Sequence, residues 1–155
     1  MAYINLTFEI EPVQQQRPRH TKFSSKPHDP VQTRNFKSLL KGMAAMAMIQ
    51  KGYPKLSGPI LYRVAFYRSI PKSWSKKKQK AAHELIEPVV TTPDTDNYVK
   101  SLSDSLNDIV WEDDRTVVGF SAIKAYSEQP RIVIEAWNPT HEDILSFIPR
   151  ENADE

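Results

Sequence analysis

The sequence predicts an α+β domain, a small mixed β-sheet packed with helices. Hydrophobic periodicity alternates along the chain between two and about 3.6 residues, in the order β-α-β-α-α-β-β. The 155 residues are enough for one domain with a core of its own. There is no cysteine, so disulfide frameworks, thiolate nucleophiles and cysteine-held zinc are excluded, and the fold must rest on packing.

Each element follows from local pattern. Ile4, Leu6, Phe8 and Ile10 alternate with Tyr3, Asn5, Thr7 and Glu9, which predicts a half-buried first strand. Residues 11–32 break that pattern with Pro12, Pro18, Pro27 and Pro30, and carry Arg17, Arg19, Lys22 and Lys26. They predict a long basic loop without regular structure. From Thr33, the expected N-cap, to Lys51 the spacing of Phe36, Leu39, Leu40, Met43, Met46, Ala47 and Ile49 is helical. Met43, Met46 and Met48 read as core filling. Gly52, Pro54, Gly58 and Pro59 end this helix, and a strand is expected over 60–70 with Ile60, Tyr62, Val64 and Phe66 on one face.

Ser73 or Ser75 is expected to cap a short basic helix over 76–85. Glu87 to Thr92 reads as extended, because Pro93 excludes Thr92 from the α region. Asp94 opens a helix to about Asp108, with Tyr98, Val99, Leu102, Leu106 and Ile109 as its apolar stripe. Val117–Tyr126 and Arg131–Trp137 predict a β-hairpin across Glu128-Gln129-Pro130. Residues 1–138 are expected to form the domain and 139–155 an acidic C-terminal tail that includes Glu142, Asp143, Glu151, Asp154 and Glu155. No stretch approaches 18 apolar residues, and no basic segment precedes an apolar run at the start, so neither a membrane span nor a signal peptide is expected.

Charge is polarised along the chain. Residues 1–85 hold 16 Lys and Arg against four Asp and Glu, whereas residues 86–155 hold five against 15. A basic half points to a polyanionic partner. In the acidic half, Asp94 and Asp96 open one helix, with Lys100 and Asp104 following at i+4 and i+8 from Asp96, and Asp113-Asp114 stands where the chain turns into a strand. Either acidic pair alone reads as a helix cap or a turn. Together, an antiparallel return after the helix would bring the second pair back towards the first. Hard oxygen ligands of that kind suit Mg2+ or Mn2+, with a lysine nearby to neutralise phosphate charge. The chemistry this implies is metal-assisted phosphodiester hydrolysis.

The motifs Asp94-Thr95-Asp96-Asn97, Lys100, Asp104-Ser105-Leu106-Asn107 and Trp111-Glu112-Asp113-Asp114 resemble the RusA family of Holliday-junction resolvases. Gln16-Arg17-Pro18-Arg19 resembles that family's N-terminal basic motif, and Pro71-Lys72-Ser73-Trp74-Ser75-Lys76-Lys77-Lys78 the central segment of its phage and prophage members. The match spans roughly residues 3–137. It implies a homodimeric, Mg2+-dependent DNA endonuclease that binds four-way or other branched DNA and makes paired symmetric nicks in the cytoplasm of a bacterial or phage-infected cell. The family's catalytic and metal-binding carboxylates correspond to Asp94, Asp96 and one of Asp113 and Asp114, with Asp114 preferred; its essential lysine corresponds to Lys100. Many members have Lys-Pro-Asp where this chain has Thr92-Pro93-Asp94. Rival readings are a branched-DNA-binding protein without catalysis and a nuclease for forks or flaps.

For the basic half, Arg17, Arg19, Lys22, Lys72, Lys76, Lys77 and Lys78 are the candidate DNA contacts. Trp74 reads either as a wedge against DNA or as an anchor for its short helix. His20, His28, His83 and His141 have no metal-ligand spacing. The 33–51 helix is apolar around much of its circumference, which offers a face for a second copy.

Overall fold

The computed structural model describes residues 2–152; Asp154 and Glu155 of the expected acidic tail lie outside the described residues. The elements are β1 (Tyr3–Phe8), β2 (Arg19–Thr21), β3 (Ser24–His28), α1 (Val31–Lys51), β4 (Ile60–Ser69), α2 (Lys76–His83), α3 (Thr95–Leu106), a 3-10 turn (Asp114–Thr116), β5 (Val117–Ser127), β6 (Arg131–Trp137) and α4 (His141–Phe147). This is the expected α+β class. The main sheet has the order β1-β6-β4-β5, antiparallel except for the parallel β4–β5 pair.

Strand periodicity puts Ile4, Leu6 and Phe8, Ile132, Ile134 and Ala136, and Ile60, Tyr62, Val64 and Phe66 on one face, all buried. Two helices cover that face. α1 contributes Phe36, Leu40, Ala44 and Met48, and α3 contributes Tyr98, Val99, Leu102 and Leu106. A smaller cluster, Ala82, Val89 and Tyr126 with Ile70 and Trp74, seats α2 against β5.

Four expectations are corrected. First, β5 and β6 are not a hairpin, because β4 lies between them. The pairings Ser69–Ser127 and Tyr67–Arg131 show residues 128–130 passing over the carboxyl end of β4. Two strand spacings are about 9.6 Å, which three extended residues span. Second, residues 11–32 are not wholly irregular, since β2 and β3 pair as a two-stranded ribbon. Third, Thr33 is not an N-cap. α1 begins earlier, with Pro30 in the cap position, and the buried Thr33 hydroxyl donates to the Gln14 carbonyl at 3.2 Å. Fourth, Met46 does not fill the core; it is 58% exposed on the outer side of α1, where Leu39 and Ile49 are also exposed. Residues 141–147, within the expected tail, form α4. Thr140 and Asp143 cap it reciprocally, and Phe147 reaches the Trp137 ring edge-on.

Candidate active site

α3 carries the first part of the site. Asp94 is its N-cap residue, with an extended backbone and an exposed side chain that makes no capping bond. Asp96, Val99, Lys100 and Ser103 of α3 line one pocket with Tyr62, Asp114, Val117, Val118, Gly119 and Phe120. Asp96, Lys100 and Asp114 thus converge on one concave surface. Asp104 turns away from it and pairs with Lys37 at 2.7 Å. At about 100° per residue, i+8 lies about 80° off the starting direction, whereas i+7 lies only about 20° off. Ser103 therefore stands beneath Asp96, and Asp104 faces α1.

The second part arrives by a tight return. α3 ends at Leu106 with Asn107 as its C-cap, and Asp108 adopts a left-handed conformation (φ 61°) that reverses the chain. Val110 and Glu112 then bond to Leu56 through the backbone (2.8 and 3.0 Å). This anchors Trp111 in the core, stacked on Tyr62 with centroids 5.3 Å apart. Two bonds aim Asp114. The Trp111 indole donates to its Oδ1 at 2.6 Å, and its own N–H donates to the Asn107 side-chain oxygen at 3.0 Å. Asp113 is used differently, accepting from the Arg115 N–H and pairing with the Arg115 guanidinium at 3.1 Å. Of the terminal pair, then, the geometry brings Asp114 to the pocket and not Asp113. Burial first, and the Asp114 carboxylate second, push the Tyr62 phenol well above its usual range.

Lys124 stands at an inward position of β5, opposite Phe66. Its ammonium donates to the carbonyls of Thr91 (2.8 Å) and Pro93 (3.1 Å), and so holds the segment that delivers Asp94. Arg68 reaches the same Thr91 from β4.

Beside the pocket runs a polar groove lined by Gln14, Gln15, Gln16, Arg17, Pro18, Arg19, Pro30, Asn97 and Lys100. The Gln15 N–H donates to the Asn97 carbonyl (3.0 Å), and the Ser101 hydroxyl donates to the Val13 carbonyl, so the basic segment is strapped to α3. Lys37 reinforces the strap by bonding both Asp29 and Asp104. Lys100 lines both the groove and the pocket. Lys22 is exposed between β2 and β3. Lys72 and Lys76 line a separate cleft with Lys80, His83 and Glu128, and Lys77 is exposed. Lys78 lies over the Trp74 ring at 4.1 Å, and Trp74 packs edge-on against Tyr126. Trp74 is therefore an anchor for α2.

As a donor set the pocket suits a hard divalent cation, since Asp96 and Asp114 present carboxylate oxygens with a lysine beside them. Among the described residues, no three acidic or histidine side chains are gathered closely enough to hold an ion by themselves. Nor is any described helix long and apolar enough to cross a membrane.

Residues 9–136 match the family model described as endodeoxyribonuclease RusA. The chain belongs to the RusA endodeoxyribonuclease family. It is thus a DNA hydrolase by descent, in a family whose activity is the resolution of Holliday junctions. A relative in Bacillus subtilis (strain 168), the uncharacterized protein YqaN, is 40% identical over 139 residues, covering 86% of this chain and 95% of its own. The supporting residues around the site, Asn107, Trp111 and Lys124, have no role that their spacing in the chain assigns. Lys124 leaves one signal there, a lone cation at an inward position of a strand between Ala122 and Tyr126.

Proposed function

We propose that this RusA-family nuclease resolves four-way DNA junctions in a Mg2+-dependent reaction, with paired symmetric nicks made by the two protomers of a homodimer. The observation that carries the reading is the convergence of Asp96, Lys100 and Asp114 on one pocket, with Lys100 shared by the groove of Arg17 and Arg19. Asp96 and Asp114, with Asp94 at the mouth of α3, would hold the cation, and Mn2+ fits the same donors. When bound, Mg2+ supplies Lewis-acid chemistry at the scissile phosphate. The chain's own groups do the rest. Lys100 donates to a phosphate oxygen and offsets the charge that builds in the transition state. Arg17, Arg19 and Lys22 track the backbone on one side, and Lys72, Lys76, Lys77 and Lys78 form a second contact zone.

The dimer has a candidate face. The outer side of α1 exposes Leu39, Met46 and Ile49, and Met46, Met43 and Phe8 line an apolar groove there. A two-fold contact through this groove would relate two active sites by the symmetry of a four-way junction. The proposed setting is the cytoplasm of a bacterial or phage-infected cell.

The test is to incubate the protein with a four-way junction, a fork, a flap and a linear duplex, with and without Mg2+, and to map nicks on every strand. Symmetric paired nicks in the junction alone, lost in Asp96→Asn while binding in EDTA persists, are the expected result. Binding without any nicks would select the non-catalytic reading, and preferred cutting of forks or flaps would move the substrate. Sedimentation equilibrium without DNA tests the dimer; a mass near 17.8 kDa would rule out a preformed one, and Met46→Lys is expected to shift a dimer to that mass.

A further inference from the structure

The site contains a feature that neither metal nor phosphate chemistry uses. Trp111, Tyr62 and Phe120 form a run of three nearly parallel rings. Successive centroids are 5.3 and 5.2 Å apart, and each pair is inclined by 9°. The first two rings are fully buried. Phe120 is 49% exposed because β5 is the edge strand of the sheet, with no further strand beyond it among the described residues. Val118 beside it is 57% exposed.

Position makes this exposure informative. Phe120 and Val118 wall the same pocket as Asp96, Lys100 and Asp114. A half-exposed aromatic ring forgoes part of the stabilisation that burial would give, and this one stands among charged groups. Its ring lacks the donors and charge that would engage a phosphate, but it offers a π-face. A nucleobase has the complementary surface, flat and apolar on its faces, and stacking on aromatic side chains is a general mode of nucleobase capture. Taking a base out of the stack costs least where its pairing is already disturbed, and the exchange point is where the strands of a four-way junction leave one helix for the next.

We propose that Phe120 is a nucleobase-stacking platform, the exposed end of the Trp111–Tyr62–Phe120 ring stack, which seats a base next to the phosphate to be cut. The proposal rests on the nuclease reading of this pocket and adds a subsite to it. Tyr62 and Trp111 hold the Phe120 ring from behind, so the base meets a prepositioned surface. Because Trp111 also bonds Asp114, one rigid unit places both the base and the carboxylate.

Photo-crosslinking tests the proposal directly. 5-Iodouracil couples on irradiation to aromatic side chains that stack on it. Four-way junctions carrying it at each position around the exchange point are bound to the full chain in EDTA, irradiated, and the adducts mapped by mass spectrometry. The expected result is an adduct on Phe120 from a position adjacent to the mapped nick, absent on linear duplex. Phe120→Leu is expected to lose that adduct and to nick more slowly by on the order of tenfold, and Phe120→Tyr to keep the adduct. Adducts only at other residues overturn the proposal, and this arm needs no variant to fold. So does Phe120→Leu nicking at the wild-type rate, or an altered sedimentation mass in that variant, which would place Phe120 in a contact between copies. Wild-type protein that nicks junctions without a Phe120 adduct sinks the platform alone; wild-type protein that neither binds nor nicks junctions sinks the nuclease reading and the platform with it.

Discussion

The Trp111 indole nitrogen donates a 2.6 Å hydrogen bond to Oδ1 of Asp114, so a core side chain aims a site carboxylate. Trp111 is fully buried and stacked on Tyr62, whereas Asp114 lies half-buried at the pocket wall. Packing energy in the core thereby fixes the direction of a polar group at the surface. Loss of a partner that orients a metal-binding carboxylate typically costs about 10- to 100-fold in metal affinity or activity.

Trp111→Phe is therefore predicted to keep the ring stack and lose the aim. Mn2+ affinity, followed by electron paramagnetic resonance of free Mn2+, is expected to fall by about 10- to 100-fold, with nicking reduced in parallel. Unchanged Mn2+ affinity would mean that the indole bond does not set the position of Asp114.

Lys124→Met addresses Asp94 by the same logic. The lysine bonds the carbonyls of Thr91 and Pro93, and its removal frees the segment that carries Asp94. A drop in the nicking rate of roughly tenfold or more is expected, with junction affinity in EDTA little changed and partial recovery in Lys124→Arg. In the double variant Lys124→Met/Asp94→Asn the two effects should not add. Full additivity would show that Lys124 acts elsewhere.

Arg17→Ala with Arg19→Ala is predicted to weaken junction binding and flatten its salt dependence. Every phosphate that an arginine no longer neutralises takes about 0.9 from the log–log slope. Measuring affinity across a salt series decides it, since an unchanged slope would place both arginines off the DNA backbone.

The Lys37 bridge has a pH signature. Its bond to Lys37 is the main cause that holds the Asp29 carboxyl below its usual range. On Lys37, burial alone would lower the ammonium, but the bonds to Asp104 and Asp29 outweigh it and the net shift is upward. A depressed carboxyl contributes stability above its unfolded pKa and loses it as pH falls through the folded value. Lys37→Met is thus predicted to cost about 1 kcal/mol at pH 7, and less below about pH 4, where the unfolded carboxyl also binds a proton. Melting curves at pH 7 and pH 2.5 should show the gap narrowing, and a gap that is constant with pH would refute the assignment.

Several parts of this arrangement were legible from residue spacing alone. Tyr98, Val99, Leu102 and Leu106 mark the buried stripe of α3, and that stripe leaves Asp96 and Lys100 on the side towards solvent. The alternation of Ile60, Tyr62, Val64 and Phe66 marks the core face of β4. Asp104 was misleading, because spacing at i+8 drifts by most of a quarter turn and Lys37 of α1 captures it. Thr33 was misleading as well: a threonine before a helical run reads as a cap, but its hydroxyl serves the Gln14 carbonyl in the strap.

Residue identity by itself determined the chemistry available to this protein: carboxylates and a lysine near the start of α3, arginines on the segment that follows β1, and helices and strands wherever one face repeats as apolar. These properties are local, because a period of two or 3.6 residues is set by backbone geometry within a segment. Tertiary structure alone decided that β5 pairs with β4 and not with β6, that Asp114 and not Asp113 faces the pocket, and that Phe120 closes a ring stack begun in the core. The strand order and the ring stack depend on segments far apart in the chain, and even the short-range bonds of Asp114 need Trp111 to be anchored on Leu56 and Tyr62. The outcome follows from which pairing buries most apolar surface over the whole domain, a sum that no single stretch of residues contains.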